Sequence, residues 1–547
     1  MPTGKPAAQI EEAMELHRRG DVGAAAALYR KIIDADPANA DAWQLLGVVA
    51  RQMGKTDLAL RLIAEALKLN PRHAPALANH ALLLREGGDL DAARKQAEAA
   101  VEADRHYPEA HTALAGALQA QRDFAGALRH YEIAALRKTG DPDLYNNIAI
   151  ARQRLGLLAE AYDAVAQALK LKPGLARLHH TRGNILRAAG YPDLACDAFA
   201  EALRLDPGLK ETEVNAAMTH LLIGDFPRGW ELFDRRGKAD ARHESLTRWR
   251  GEKNASIHLL IHAEQGLGDT IQFSRLVFWA RGHIGRIILE VQKPLRSLIA
   301  ASFPDMDVIA SEDDIPAGAT HHCRLLDIAG MMALDGGNIP GAVPYIKAPP
   351  LAEPPRLLLA GRKKPVIGLV WAGNPGHLND ANRSLKLQQL APALSPFAAH
   401  MVSLQKGPQA EELASSGLDI ADGGALLDDF SATAAMLDGI DLLISVDTSV
   451  AHLAGALGRP VWVMLPYDPD WRWLLERQDA PWYPSARLYR QAAPGDWAEP
   501  LGNMAGDLAA FIGGDPSVLQ PTVWDHLPAR RPRTPLKLPG LDAGESS

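Results

Sequence analysis

The chain has 547 residues, 47% hydrophobic and 23% charged, with a net charge of −8 and two cysteines. That length predicts three or more domains, and the acidic balance gives no global attraction to nucleic acid or acidic membranes. No apolar run reaches the roughly 18 residues a membrane span needs. Met1-Pro-Thr-Gly-Lys-Pro-Ala-Ala8 has no apolar core behind its lysine, so no signal peptide is expected and the expected location is cytoplasmic. Cys196 and Cys323 fall in different expected domains, which argues against a disulfide framework and a thiolate metal site.

From the N-terminus, Ala66-Leu-Lys-Leu-Asn-Pro71 returns as Ala168-Leu-Lys-Leu-Lys-Pro173 and Ala202-Leu-Arg-Leu-Asp-Pro207. Proline stands at 37, 71, 173 and 207, all separated by multiples of 34, with Arg105 and Thr139 at the two intervening places. Alanine keeps the same ruler at 25, 59, 93, 127, 161 and 195, and glycine at 20, 54, 88, 156, 190 and 224, with Arg122 as the exception. Each unit reads as two helices. Glycine ends the first because it accepts a positive φ, alanine lets the second approach closely, and proline follows where the second must stop.

This helix-turn-helix period resembles the tetratricopeptide repeat, with Trp43-Gln-Leu-Leu-Gly47 and Tyr145-Asn-Asn-Ile-Ala149 at that family's aromatic and small positions. Six units cover about 6–209, and a weaker seventh passes through Asp225-Phe-Pro-Arg-Gly-Trp-Glu-Leu-Phe233, so the expected array is 6–243. Such units stack into an all-α superhelix with a concave face that normally takes an extended peptide or partner protein. Asn79, Asn147 and Asn215 share one place in the repeat and are the expected acceptor-binding residues, since an amide both donates to and accepts from a peptide backbone. Spacing or capping of the helices is an equally open reading of them.

A polar joint is expected over 244–256, around Arg248-Trp-Arg-Gly-Glu-Lys-Asn-Ala255. Short apolar runs then alternate with amphipathic stretches, the mark of βα units. Strands are expected at Ile257–His262, Arg286–Val291, Val308–Ala310 and Arg324–Ile328, giving a first α/β half over 257–347. A proline-rich linker occupies 348–364. The second half, 365–514, carries strands at Pro365–Trp371, Met401–Leu404, Asp441–Val446 and Val461–Leu465. Two such halves are expected to enclose a cleft. Trp471, Trp473, Trp482 and Trp497 follow; packed core is their first reading, and stacking on a nucleobase or sugar the second. Residues 515–547 form a proline-rich tail, ordered by contact or disordered.

Three stretches carry the chemistry: Glu264-Gln-Gly-Leu-Gly-Asp-Thr270, Trp371-Ala-Gly-Asn-Pro-Gly-His377 continuing to Arg383, and Asp447-Thr-Ser-Val-Ala-His452 followed by Tyr467-Asp-Pro-Asp-Trp-Arg-Trp473. In this order the chain resembles the GT-B glycosyltransferases, in particular the bacterial heptosyltransferase group and its relatives fused to tetratricopeptide arrays. The expected fold is therefore a repeat array followed by an α/β GT-B module of two Rossmann-like halves. The resemblance implies a nucleotide-sugar donor held by the second half, an acceptor hydroxyl presented from the first, inversion at the anomeric carbon, and no metal or other cofactor. It also makes Asp269 the general base, with Glu264 in reserve, and puts His452 in the donor site.

The residues themselves support a phosphate seat. The helix after Val446 offers unpaired N–H groups around Thr448, Ser449 and Val450, but a helix N-terminus contributes only ~0.3–1 kcal/mol, at best ~2, against the roughly 8 kcal/mol of micromolar binding. Arg383 and Lys406, each expected in a loop beyond a strand, are the cations expected to supply much of the remainder. A carboxylate beside a diphosphate is unfavourable, so Asp447 is expected to cap the helix or hold a ribose hydroxyl. Gly266, Gly268 and Asn374 are expected where backbone approaches the ligand. Asp269, as the plain N-cap of a helix Thr270–Arg281, is the competing reading, and a helix N-terminus should lower its pKa. Gly266-Leu-Gly-Asp-Thr270 lacks the lysine of a P-loop and the third glycine of a dinucleotide fingerprint. His179-His180 and His321-His322 are wrongly spaced for a zinc site on one helix face.

The expectation is thus a glycosyltransferase acting on serine or threonine hydroxyls of a captured protein. Its architecture resembles O-linked N-acetylglucosamine transferase and the bacterial transferases that modify flagellin, which makes flagellin one such acceptor. A lipid-linked or lipopolysaccharide glycan as acceptor, and a scaffold with an inactive second half, are the alternatives.

Overall fold

The computed structural model describes residues 5–237, 241–264, 266–350, 358–359, 365–377, 379–521 and 535–541. One compact unit runs to Ile185 and a second begins at Leu186. Among the described residues no helix is long and apolar enough to cross a membrane.

Among the described residues, the helices up to Asp234 come in seven pairs, the first Lys5–Arg18 with Val22–Ala35 and the last Lys210–Leu222 with Phe226–Asp234. The repeat ruler is written in the backbone. Gly20, Gly54, Gly88, Gly156, Gly190 and Gly224 all have φ between 72° and 91°, and Arg122, standing in glycine's place, takes φ 66°. For a residue with a Cβ this costs roughly 1–2 kcal/mol. Four of these turns restart the chain in the same way: Asp21, Asp89, Asp123 and Asp225 each accept from the N–H three residues on and cap the second helix of the pair. The alanines at 25, 59, 93, 127, 161 and 195 are completely buried. In the seventh pair that place belongs to Gly229, where a Cβ would stand 2.6 Å from Leu221. Asn79, Asn147 and Asn215 lie half-buried on the first helices of their pairs, and the Asn79 amide donates 2.9 Å to the Pro75 carbonyl of its own helix.

The second unit contains two sheets. The first is built from β1 (Thr247–Arg248), β2 (Asn254–His262), β3 (Ile284–Val291), β4 (Asp307–Ala310) and β5 (His321–Arg324) in the order β1-β5-β2-β3-β4, all parallel. The other holds β6 (Val366–Val370), β7 (His400–Ser403), β8 (Ile420–Asp422), β9 (Leu442–Val446), β10 (Val461–Leu465), β11 (Asp479–Ala480) and β12 (Tyr483–Arg490). Its order is β11-β12-β10-β9-β6-β7-β8, parallel except for β11 with β12. From β6 onward, leaving out β11, the strands stand in the 3-2-1-4-5-6 order of a doubly wound sheet, and β2 to β5 repeat its 3-2-1-4 part. The order reverses between β2 and β5 and between β6 and β9. Ligands of such sheets bind beyond the strand ends at those two places.

Departures from the sequence reading have local causes. The strand expected at Arg324–Ile328 ends at Arg324; Leu325 and Leu326 prolong the apolar run as buried turn residues, and Asp327 opens a helix, Asp327–Met331, while pairing back to Arg324 at 3.1 Å. The helix expected at Thr270–Arg281 starts at Leu267 and loses its α geometry at Ser274–Leu276, where Ser274 Oγ donates 2.9 Å to the Ile271 carbonyl. The stretch 244–256 supplies an edge strand and the fully buried Trp249. Most of the linker and of the tail lies outside the described residues. Within the tail, the Leu536 N–H donates 3.0 Å to Ala189 and Leu538 is buried.

Two alanine substitutions separate backbone strain from collision. Gly54→Ala meets positive φ and nothing within 4 Å of its Cβ, so it should lower stability by about 1 kcal/mol. At Gly190→Ala the new Cβ would stand 2.2 Å from the Tyr467 hydroxyl, and the expected loss is roughly 2–4 kcal/mol. Urea midpoints of the two variants check the difference.

Candidate active site

Beyond β9 the chain passes through Asp447-Thr448 into the helix Ser449–Ala456. Thr448, not Asp447, caps it: its hydroxyl oxygen accepts from the Ala451 N–H at 3.4 Å and lies 3.0 Å from Ser445 Oγ. Asp447 Oδ1 instead sits 3.7 Å from His452 Nε2. Burial pushes the Asp447 carboxyl up to about 6, Asp470 adds to the push, and Arg383 and Arg472 oppose it. His452 Nδ1 lies 3.1 Å from the Tyr483 hydroxyl, and its ring stacks on Trp473 at 5.2 Å. Burial lowers its pKa to about 3, so the imidazole is neutral at ordinary pH. Ser449 and Val450, in the first turn, are half-buried.

The loop after β6 is held by a residue the sequence reading passed over. Gln405 Oε1 accepts from the N–H groups of Trp371 and Ala372 at 3.1 and 2.9 Å, and its amide donates 3.0 Å to the Ala372 carbonyl. Gly373 follows, where a Cβ would come within 2.6 Å of Arg383 Nη2. The glycine is therefore what lets the Arg383 guanidinium lie against the loop. Arg383 also meets Asp380 at 3.3 Å. Asn374 Oδ1 accepts from Gly376 at 2.9 Å and so shapes its own turn. Lys406 does not join this group: it is exposed, and its ammonium donates to the Leu427 carbonyl. The side chain beyond β7 that turns inward is its neighbour Gln405.

From the other half, Asp269 occupies the third position of the helix Leu267–Phe273 rather than its N-cap. Its Oδ2 accepts from the Gly266 N–H at 2.7 Å, half of a capping box that glycine cannot return. Its Oδ1 is ion-paired with Arg472. The expected lowering of its pKa is reversed: desolvation raises the carboxyl above its ordinary value, and the opposing pull of Arg472 and the Gly266 N–H does not cancel it. At Gly268 a Cβ would stand 2.8 Å from His452 Cδ2 and 3.4 Å from Ser449 Cα. The expected ligand-approach glycine thus serves a helix–helix contact, and the cleft expected between the halves is closed here. Glu264 is engaged elsewhere. Both its oxygens bond Arg236, with Arg324 at 3.8 Å, in a buried network shared with Asp327.

Arg472 stands at the centre. It pairs with Asp269, and its Nη1 reaches Asp470 at 2.8 Å. The guanidinium lies over Trp471 at 4.5 Å and Phe273 at 5.3 Å. Trp471 meets Trp230 and Trp482 edge-on at 5.5 and 6.0 Å, and the Trp482 indole donates 2.6 Å to the Arg472 carbonyl. Trp471, Trp473, Trp482 and Trp497 are all buried, so they are packing, and none is an open stacking platform. Arg472 and Asp470 lie in the stretch Tyr467–Trp473 that carries the resemblance, but the sequence assigns neither a role of its own; the available signal is an arginine inside Asp470-Trp-Arg-Trp473, where an apolar setting requires a charge partner. His377 joins them electrostatically, feeling Arg383, Asp470, Asp380 and Asp269. Three carboxylates, Asp269, Asp447 and Asp470, and two guanidinium groups, Arg383 and Arg472, thus gather where both sheets end. Such a group can hold an anion and take up a proton.

Because Asp447 titrates near 3.8 unfolded and at about 6 folded, the folded state binds the extra proton between those values. Stability from this group is full below pH ~4 and is lost as pH rises through 6. Asp447→Asn, neutral throughout, should exceed the parent by roughly 1–3 kcal/mol at pH 8 and match it near pH 4. Denaturant unfolding at the two pH values measures it.

Family profiles for the tetratricopeptide repeat match residues 16–78, 78–145 and 176–209. The chain is similar to Protein FlbA of Caulobacter vibrioides, 28% identical over 321 residues, covering 53% of this chain and 54% of that protein. It therefore spans about half the length of this curated relative. Among solved structures, the Cut9–Hcn1 hetero-tetramer of APC/C matches 39% of this chain and 43% of that one at 18% identity with TM-score 0.37. Pseudomonas aeruginosa pilF matches 38% of this chain and 95% of its own at 22% identity with TM-score 0.34. The N-terminal half of the chain is made of tetratricopeptide repeats.

Proposed function

We propose that the α/β part is a GT-B glycosyltransferase that moves a sugar from a nucleotide-sugar donor onto serine or threonine hydroxyls of a protein held by the repeats, flagellin being one such acceptor. The observation that carries this reading is the meeting of Asp269, from the first half, with Arg472 and the start of the Ser449–Ala456 helix, from the second, where Arg383 acts on Asp447. A partly desolvated base and a cationic seat for a leaving diphosphate are what an inverting displacement without a metal requires.

The acceptor oxygen attacks the anomeric carbon as the bond from that carbon to the phosphate oxygen breaks. The bonding pair leaves with the nucleoside diphosphate, the hydroxyl proton passes to Asp269, and the configuration inverts. Arg383 and Arg472 balance the charge that grows on the leaving group, each contributing about 1.5–3 kcal/mol; Arg472 takes the part that the sequence reading gave to Lys406. Burial suits Asp269 to the task, because a raised pKa makes its carboxylate a stronger base. The repeats supply the acceptor, with half-buried Asn79, Asn147 and Asn215 as amide contacts to an extended chain.

One observation favours a second reading, a scaffold that has lost transfer: Asp269 is held in an ion pair rather than free. Intact-mass analysis of candidate acceptor proteins with a panel of nucleotide sugars separates the two. Asp269→Asn should keep donor binding and lose about 10²–10⁴-fold in transfer; unaltered transfer removes the base assignment, and no transfer by the parent from any donor supports the scaffold. Modification of a lipid-linked glycan with proteins left untouched would redirect the acceptor. Joint Asn79→Ala and Asn147→Ala substitution should lower transfer to protein about tenfold more than donor hydrolysis, and equal loss of both refutes capture by these amides.

A further inference from the structure

We infer that Arg472 is an interlock between the two α/β halves: donor phosphate must take it from Asp269, and the same exchange releases Asp269 to act as the base. The inference rests on the proposed donor site and adds its order of events.

The geometry carries it. Arg472 belongs to the turn Asp470–Trp473 of the second half, yet one arm of its guanidinium holds Asp269 of the first half and the other holds Asp470. Phe273 and Trp471 flank the group, and Trp482 fixes its backbone carbonyl. The side chain can therefore change partner with little movement of its own backbone. In the arrangement seen, Asp269 is a weakened proton acceptor, because Oδ1 is ion-paired with the Arg472 guanidinium and Oδ2 accepts from the Gly266 N–H. Nor can an anion reach the first turn of the Ser449–Ala456 helix from the Gly268 side, where the two helices touch. Two parts of the donor seat are thus occupied by the acceptor half of the same molecule.

Exchange changes the chemistry of both partners. A phosphate oxygen offers Arg472 a bidentate acceptor at least as strong as a carboxylate. Asp269, left without its cation, then has Asp470 and His377 as the charged or titratable groups that act on it, with neutral His452 facing the neighbouring Gly268. Loss of Arg472, the largest of the influences that hold its carboxylate low, raises its proton affinity, which makes it a stronger base as long as it stays ionised. The base is idle until the leaving group is seated, and water reaching the empty site finds no activated carboxylate.

The test needs no knowledge of the sugar or nucleobase, since inorganic pyrophosphate carries the diphosphate alone. Titration calorimetry of the full chain from pH 5 to pH 7, in buffers of different ionisation enthalpy, gives affinity and proton uptake together. Removing the competitor in Asp269→Asn, an isosteric change whose folding is checked by its melting curve, should tighten pyrophosphate binding about tenfold or more. It should also remove the extra proton that the parent takes up toward the acid end of that range; at pH 7 the released carboxylate stays ionised, as a base must. An affinity and proton count equal to the parent's, or no pyrophosphate binding by either protein, overturns the interlock. If the variant does not fold, Asp269→Ser, which also removes the competing charge, takes its place with the same outcomes. The enzymatic reading fails separately: pyrophosphate exchange without sugar transfer leaves the switch and retires the transferase, whereas transfer with unchanged pyrophosphate affinity does the reverse.

Discussion

A charge inside a protein must find its counter-charge, and in the α/β part of this molecule that requirement is met across two sheets. Arg472 is almost fully buried, and its guanidinium is balanced by Asp470 from its own turn and Asp269 from the other half. Removing either carboxylate would leave a desolvated cation under-compensated, which is far costlier than losing a surface pair. The position of the Leu267–Phe273 helix against the Ser449–Ala456 helix follows from the same need. So does the absence of a side chain at Gly268, which lets the helices meet closely enough for the ion pair to form.

Several devices hold that geometry without taking part in it. Arg275 reaches from the first half to the Trp482 carbonyl at 2.8 Å and lies over Tyr345, whose hydroxyl bonds the Gln272 carbonyl and whose N–H bonds Ala456. The chain before the linker thus stitches the two helices together. Trp230, from the last repeat helix, packs edge-on against Trp471, so the aromatic bed under Arg472 includes a residue that the 34-residue ruler counts as part of the array. Beneath the carboxyl edges of β2 and β5, His243, His262 and His322 stack with ring centroids 3.9 to 5.8 Å apart, and burial lowers the His262 pKa to about 3. The neutral His262 imidazole fills polar space there without adding charge to a neighbourhood already rich in it.

How far each part could be read in advance depends on the range of the interaction. The repeats were legible because every determinant is local: a glycine for positive φ, an alanine for a close crossing, an aspartate for a cap. Arg122 is informative here, since the register imposes left-handed geometry even on a residue ill-suited to it. Strand positions were legible from apolar runs, and failed at Arg324–Ile328, where a run outlasts its strand. The site was legible only as stretches. Asp269, Arg383, Asp447 and His452 do gather, while Lys406 and Glu264 bond elsewhere, and Gln405, Asp470 and Arg472 take places that spacing gave no reason to assign.

The amino-acid sequence by itself determined the helical pairs, their period, and the two parallel sheets with glycine-bearing turns beyond their strands, because hydrophobic period and backbone propensity act over a few residues. Only the tertiary structure decided which cation meets which carboxylate, which way the Asp269 pKa moves, and which glycines make room for a side chain or a helix rather than a ligand. Those depend on desolvation and on partners about 200 residues apart in the chain, as Asp269 and Arg472 are, and no local pattern encodes them.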